Sequence, residues 1–187
     1  MLLCSGNARS EQTIAFIRHG EKPAEGLGQL NCQGLQRSLA LPNVLVSKFG
    51  PPDAIFAPNP ANLKNDHGKR YAYIRPLATI EPTAIKYNLP VNLEFGFEDS
   101  LALIQTLVSD KYKNKVIFVA WEHHWAEHIV KELVLNYSAE KEIVASWADD
   151  DFDSVYVVKI NELKGKKMAR FYIVQQGLNH VPSHCDF

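Results

Sequence analysis

Four apolar residues, Ile14-Ala15-Phe16-Ile17, give way abruptly to Arg18-His19-Gly20-Glu21. A short apolar run that ends on polar residues reads as a buried strand, here over residues 13–18. The same change recurs where residues 115–120 lead into Trp121-Glu122-His123. Residues 53–57 form a second short strand, and 89–93 form an edge strand. Residues 154–160 and 169–174 are two strands joined by the basic, turn-like stretch 161–167, which marks a hairpin.

Helical spacing fills the intervals. Asn31 caps a helix from Cys32 onward that places Leu35, Leu39 and Leu41 on one side. Pro42 kinks or ends it, and residues 44–49 add a turn or two. Pro76 suits the first turn of a helix toward Tyr87, and Pro82 within it predicts a kink or break. Ser100 caps a helix carrying Leu101, Ile104, Leu107 and Val108. Residues 124–135 form another, with Trp125, Ile129 and Leu133 on its apolar face. Residues 58–69 read as a long polar loop. The first twelve residues are polar and expected to be loosely ordered.

This alternation predicts one domain over residues 1–187. It would be a three-layer α/β/α sandwich whose mostly parallel sheet has one antiparallel strand. The 187 residues are 46% hydrophobic and 22% charged, an ordinary soluble balance. A net charge of −1 gives no global field toward nucleic acid or membrane, so neither is expected as a partner. Anion binding would have to come from a local cation cluster. The three cysteines, Cys4, Cys32 and Cys185, are odd in number and lack C-x-x-C spacing. That argues against a disulfide framework and a zinc ribbon, and for a reducing, cytoplasmic setting. Cys32 then reads as a small buried hydrophobe. Met1-Leu2-Leu3-Cys4 is too short for a signal-peptide core, and no run is long enough to span a bilayer.

Four residues stand just past an apolar strand or at a helix start: Arg18, His19, Arg75 and His123. Open α/β sheets bind ligands at the carboxyl ends of their strands. Two guanidiniums and two imidazoles around one point would hold a phosphate dianion, since the arginine fork matches phosphate oxygens two at a time. The N–H groups at the start of the helix after Arg75 would face the same anion. A neutral histidine with one nitrogen tied by its proton leaves the other free to attack phosphorus.

Arg18-His19-Gly20, with Glu21 following, resembles the R-H-G hallmark of the histidine phosphatase superfamily, the phosphoglycerate mutase-like or branch-1 proteins. Residues 30–37, Leu-Asn-Cys-Gln-Gly-Leu-Gln-Arg, keep the leucine and glycine of that family's L-T-x-x-G element. Arg75 and Thr79 match its R-x-x-x-T pattern, and His123 ends a strand as its second histidine does. The resemblance runs in family order along nearly the whole chain. It implies a phosphoglycerate mutase-like fold and a phosphatase working through a phosphohistidine intermediate without a cofactor.

In that reading His19 is the nucleophile, and Arg18, Arg75 and His123 complete the phosphate pocket. The substrate is a small phosphorylated molecule, inorganic phosphate is a ligand, and a phosphoprotein is a further option. Glu94, before Phe95-Gly96, corresponds to the general acid of part of the family. Glu98, Asp99, Glu122 and the run Asp149 to Asp153 are rivals for that role, and Arg70 competes with Arg75. The acidic run otherwise reads as a solvated loop.

Two other functions compete. A protein that lost its acid would bind phosphate and turn over poorly. His124-Trp125-Ala126-Glu127-His128 matches H-x-x-E-H, whose two histidines would serve a zinc hydrolase. The preferred reading leaves His124 and His128 as partly exposed helix residues and Trp121 and Trp125 as core.

Overall fold

A computed structural model describes residues 11–138 and 143–185. The expectation of loose order for residues 1–12 falls mostly outside them, and Glu11 and Gln12 belong to the first strand. Gln12 is buried, and its Nε2 donates to the Leu107 carbonyl at 2.7 Å.

In chain order the elements are β1 (Glu11–Arg18), α1 (Cys32–Phe49), β2 (Ala54–Phe56), β3 (Leu63–Asp66) and β4 (Lys69–Ala72). These are followed by α2 (Arg75–Tyr87), β5 (Val91–Asn92), α3 (Ser100–Leu107), β6 (Val116–Trp121), α4 (His123–Tyr137), β7 (Ser154–Leu163) and β8 (Lys166–Gln175). Six strands form one sheet in the order β5-β2-β6-β1-β7-β8. Strands β5, β2, β6 and β1 run parallel, and β7 is antiparallel to both β1 and β8. The expected sheet with one antiparallel strand is therefore present. Strand β1 lies centrally and is wholly apolar through Ile14–Ile17, as a strand covered on both faces must be.

Each sheet face carries its own core. Ile14, Phe16, Val119 and Trp121 pack with Leu103 and Leu107 of α3 and with Ile129 and Leu133 of α4. Ala15, Ile17, Phe118 and Ala120 point the other way, toward Leu41 and Leu45 of α1 and Ile80 of α2. This alternation along β1 and β6 is the period-two side-chain pattern of a strand.

Three local expectations change. First, α1 and α2 run through Pro42 and Pro82 without ending. Tertiary burial of a long amphipathic face outweighs the lost hydrogen bond. The buried face of α1 is Gly34, Arg37, Ser38, Leu41, Pro42 and Leu45, and Leu39 points to solvent.

Second, the polar stretch 58–69 is not a structureless loop, because β3 and β4 pair antiparallel from Leu63↔Ala72 to Asp66↔Lys69. His67 and Gly68 make the two-residue turn, both with positive φ (51° and 82°), as the twist of a tight hairpin requires. Asn65 Oδ1 accepts the Gly68 N–H at 2.9 Å.

Third, Cys32 and Cys185 form a disulfide with Cα atoms 5.2 Å apart. It ties the C-terminal tail to the start of α1. The reading of unpaired cysteines is corrected, and with it the ground for a reducing compartment, since disulfides persist mainly in oxidising ones. The odd count misled because it does not prevent two of the three cysteines from pairing. A crosslink spanning 153 residues should contribute on the order of 2–4 kcal/mol by restricting the unfolded chain. Reductant, or Cys32→Ser, is expected to lower the thermal midpoint by several degrees. An unchanged midpoint would show that the bond contributes nothing.

No helix among the described residues is long and apolar enough to cross a membrane.

Candidate active site

The site forms where β1 and β6 end side by side. Arg18 and Trp121 are register partners, and the His19 N–H donates to the Trp121 carbonyl at 3.1 Å. The two strands therefore deliver His19 and His123 to one edge of the sheet.

Gly20 turns the chain against α1. A Cβ at Gly20 would meet the Gly34 Cα at 2.9 Å, and one at Gly34 would meet the Glu21 carbonyl oxygen at 2.4 Å. This close approach explains why glycine stands three residues into the helix. Asn31 caps it there, its Oδ1 accepting the Gly34 N–H at 2.9 Å. Arg37, one turn on, is buried. It bonds Glu21 at 2.7 Å and Asp153 at 3.3 Å, and also donates to Gln176 Oε1 at 3.0 Å. The turn after His19 is thus locked to the strand hairpin on the far side.

Thr79 of α2 joins the same frame. The Gly20 N–H donates to Thr79 Oγ1 at 2.8 Å, and that hydroxyl donates to the Arg75 carbonyl at 2.8 Å. Arg75 is 1% exposed. Its guanidinium is aimed by Asp66 of the β3–β4 hairpin, with Nη1 2.5 Å from Oδ2 and Nη2 3.3 Å from Oδ1. Arg70, on β4, faces solvent.

Arg18 is held from the opposite side. Its Nη1 donates to the carbonyls of Ala148, Asp149 and Asp151 at 3.2, 2.6 and 3.2 Å. The Phe152 ring lies 3.9 Å beneath its Cζ. The acidic run is therefore not simply a solvated loop. Asp151 Oδ1 accepts from the N–H groups of Asp153 and Ser154. Asp153 takes Arg37, and Asp149 takes His123, whose Nε2 lies 2.8 Å from Asp149 Oδ1.

His19 sits inside this ring, 3% exposed. Its Nδ1 is 2.8 Å from the Gly20 carbonyl. A carbonyl only accepts, so Nδ1 carries the proton and Nε2 has the free lone pair. Burial first, then the Arg75 cation, pushes the imidazole well below its ordinary 6.5, against the raising effect of the Gly20 bond. His19 is therefore neutral at physiological pH.

Around it, several buried polar atoms have no hydrogen-bond partner: Arg18 Nε, Tyr73 Oη, Arg75 Nε and His123 Nδ1. Tyr73 lies edge-on to His19 with centroids 6.0 Å apart, and Arg75 stacks over its ring at 4.9 Å. Burial pushes the Tyr73 phenol upward, so it stays a neutral donor. Buried donors are normally satisfied, and four around one cationic pocket suit an anion with several oxygens.

The acids are distributed unequally. Glu94 is exposed in the turn after β5, where its N–H is held by Asn92 Oδ1 at 2.9 Å. The adjacent Phe95 and Phe97 are buried, and the Phe97 carbonyl accepts from Trp121 Nε1 at 2.9 Å. Glu98 and Asp99 are also exposed, and Asp99 Oδ2 accepts the Gly96 N–H.

Glu122 is the buried acid beside His123. Burial alone would raise it, but His123, Lys64 and the Trp125 N–H hold it at about 2. Asp149 is held below the ordinary carboxylate range, first by its bond to His123. Lys64, on β3, reaches to 3.6 Å from Glu122 Oε1 and lies over the Tyr73 and Phe97 rings.

The H-x-x-E-H segment does not present its three residues together. Glu127 bonds the Trp147 N–H at 2.7 Å and Lys131 at 2.5 Å, and His128 packs against Trp125. Trp121 is fully buried, as expected, and Trp125 packs partly buried against the same core.

The structure thus brings Arg18, His19, Arg75 and His123 together, and Glu94 is exposed to solvent after β5. Sequence reading missed Lys64, Asp66 and Tyr73. All three depend on the β3–β4 hairpin or its exit, and a His-Gly turn is a weaker signal than Asn-Gly.

The parallel sheet with one reversed strand, flanked by helices, is a phosphoglycerate mutase-like fold. Among solved structures it is similar to one from Nakamurella multipartitia assigned as the phosphohistidine phosphatase SixA. The TM-score is 0.57 and identity 15%, covering 88% of this chain and 96% of that one. It is also similar to a mycobacterial glucosyl-3-phosphoglycerate phosphatase, with TM-score 0.57 and 11% identity over 88% of this chain and 98% of that one. A phosphoglycerate mutase from Bacillus anthracis matches with TM-score 0.53 and 8% identity, over 91% and 96% of the two chains. No family model matches the chain, and no curated protein sequence does.

Proposed function

We propose that the protein hydrolyses phosphate monoesters through a phosphohistidine at His19, with no metal required. The observation that carries this reading is the neutral, buried His19. Its Nδ1–H is tied to Gly20 while Nε2 is free, and the Arg75 and Arg18 cations act on the ring. In the first step the Nε2 lone pair forms a bond to phosphorus, and the ester P–O bond breaks with its electron pair leaving on oxygen. In the second, water attacks the phosphohistidine, releasing phosphate and restoring the imidazole. Arg18, Arg75 and His123 hold the phosphoryl oxygens and stabilise the charge they gain. The mycobacterial phosphatase of the same fold is also known with inorganic phosphate bound, which supports phosphate as a ligand here.

The leaving oxygen needs a proton or must leave as a stable anion. Glu122 and Asp149 are held ionised, so neither holds a proton ready at neutral pH. This observation favours the second reading, a weak catalyst that binds phosphate, for any substrate with a poor leaving group.

Aryl phosphates are therefore expected to turn over at least about a hundredfold faster than alkyl phosphates, the range a positioned acid supplies. Chelator should have no effect on either. Equal rates would show that an acid is in place, with Glu94→Gln against Glu122→Gln identifying it. Absence of aryl turnover with phosphate still bound would establish the binding protein. A cytoplasmic enzyme would carry Cys32 and Cys185 reduced, so rates are compared with and without reductant.

A further inference from the structure

The start of α4 carries a second feature, which shares His123 with the phosphate pocket and adds His124 and Asp149. His123 and His124 are adjacent, and their rings lie 3.9 Å apart at 35°. Adjacent helical residues normally diverge by about 100°. Here both side chains converge on Asp149. Its Oδ1 is 2.8 Å from His123 Nε2 and 3.3 Å from His124 Nε2.

We propose that His123 Nε2, His124 Nε2 and Asp149 form a binding site for a divalent cation of the zinc class at the mouth of the pocket. Tetrahedral zinc ligands at bond lengths of about 2.0–2.2 Å sit roughly 3.3 Å from one another. The His124–Asp149 separation matches that value and the His123–Asp149 separation is shorter. Two imidazoles and one carboxylate suit zinc, cobalt or nickel better than calcium or magnesium, which prefer all-oxygen sites.

The other side of His123 fits the same assignment. A metal on Nε2 requires the proton on Nδ1, and ligating histidines commonly point that N–H at a carboxylate. His123 Nδ1 is buried and has no hydrogen-bond partner, yet Glu122 Oε1 lies 3.2 Å away. Among the described residues, Glu122, His123 and His124 also form a group whose ligand atoms lie within 4.8 Å of one another. Access is open, since the side chains are 8%, 63% and 83% exposed at His123, His124 and Asp149. This donor set shares only His124 with the H-x-x-E-H reading, and His128 has no part in it.

Titration of the untagged full chain with cobalt(II), followed by visible absorption and then displaced by zinc(II), tests the site. The wild type should bind one equivalent saturably. His124→Ala should weaken binding at least about tenfold, and His128→Ala should leave it unchanged. His124 is exposed, so its removal spares the fold, checked by an unchanged thermal midpoint without metal. No saturable binding by the wild type would overturn the proposal. So would equal affinities of wild type and His124→Ala, or a loss in His128→Ala as large as that in His124→Ala. The readout is metal binding, so its outcome is separate from that of the phosphatase reading.

Discussion

His19→Ala should lower aryl phosphate turnover by at least about a thousandfold, since removing a nucleophile removes the covalent route. The fold should persist, because the N–H of residue 19 still bonds the Trp121 carbonyl and Gly20 keeps its contacts with Thr79 and Gly34.

The variant also has a pH signature. The native imidazole is held well below 6.5, whereas the unfolded chain takes up that proton as pH falls through 6.5. Stability from this group is therefore complete above pH 6.5 and is lost progressively below it, where the unfolded state binds more protons. His19→Ala should lose less stability on acidification than the wild type. Turnover by the wild type should persist below pH 6.5, because the nucleophile stays unprotonated there. Thermal midpoints and initial rates over the same pH series check both statements. An acid limb at pH 6.5 would mean that the His19 imidazole titrates as it does in water.

Arg75→Ala is the second large effect. It removes a phosphate ligand and also strands Asp66, whose side chain is 4% exposed. Breaking a buried ion pair from one side costs about 3–5 kcal/mol. The midpoint of denaturant unfolding should fall accordingly, with phosphate affinity lost in whatever remains folded. The double variant Arg75→Ala with Asp66→Ala should recover part of the stability and none of the affinity. Arg70→Ala, on the exposed face of β4, should change neither by more than a few tenths of a kcal/mol. If Arg70→Ala is the damaging substitution, Arg75 is a structural ion-pair partner and the phosphate ligand has been misassigned.

The parts of the fold that were legible in sequence share one property. They are long apolar or strictly periodic segments whose pattern has a single solution. Strands β1 and β6 alternate between two cores, and α4 needs one apolar stripe. Asn31 and Gly34 could also be read, because a cap and a backbone contact tolerate few residue types. What was missed depends on partners far along the chain. Pro42 and Pro82 are helix breakers by local rule, and only tertiary burial keeps them helical. The hairpin after β2 is polar because its role is to present Lys64 and Asp66 to Tyr73, Glu122 and Arg75, not to fill a core. The Cys32–Cys185 bond joins positions whose approach depends on where the tail after β8 folds back.

Within the site, His19, Arg18, Arg75 and His123 were legible because strand ends and a helix start place them. The acid was not, because proximity to His123 and protonation state are set by burial. Glu94 occupies the expected sequence position and faces solvent, while Glu122 is near but held as a carboxylate.

The most direct test of the account is to quench the protein during aryl phosphate turnover and map any phosphoryl group by mass spectrometry of alkaline-stabilised digests. The account predicts an acid-labile, base-stable phosphoryl group on the peptide containing His19, absent from His19→Ala and unaffected by chelator. Undiminished turnover by His19→Ala, with no phosphorylated His19 peptide in the wild type, would contradict it.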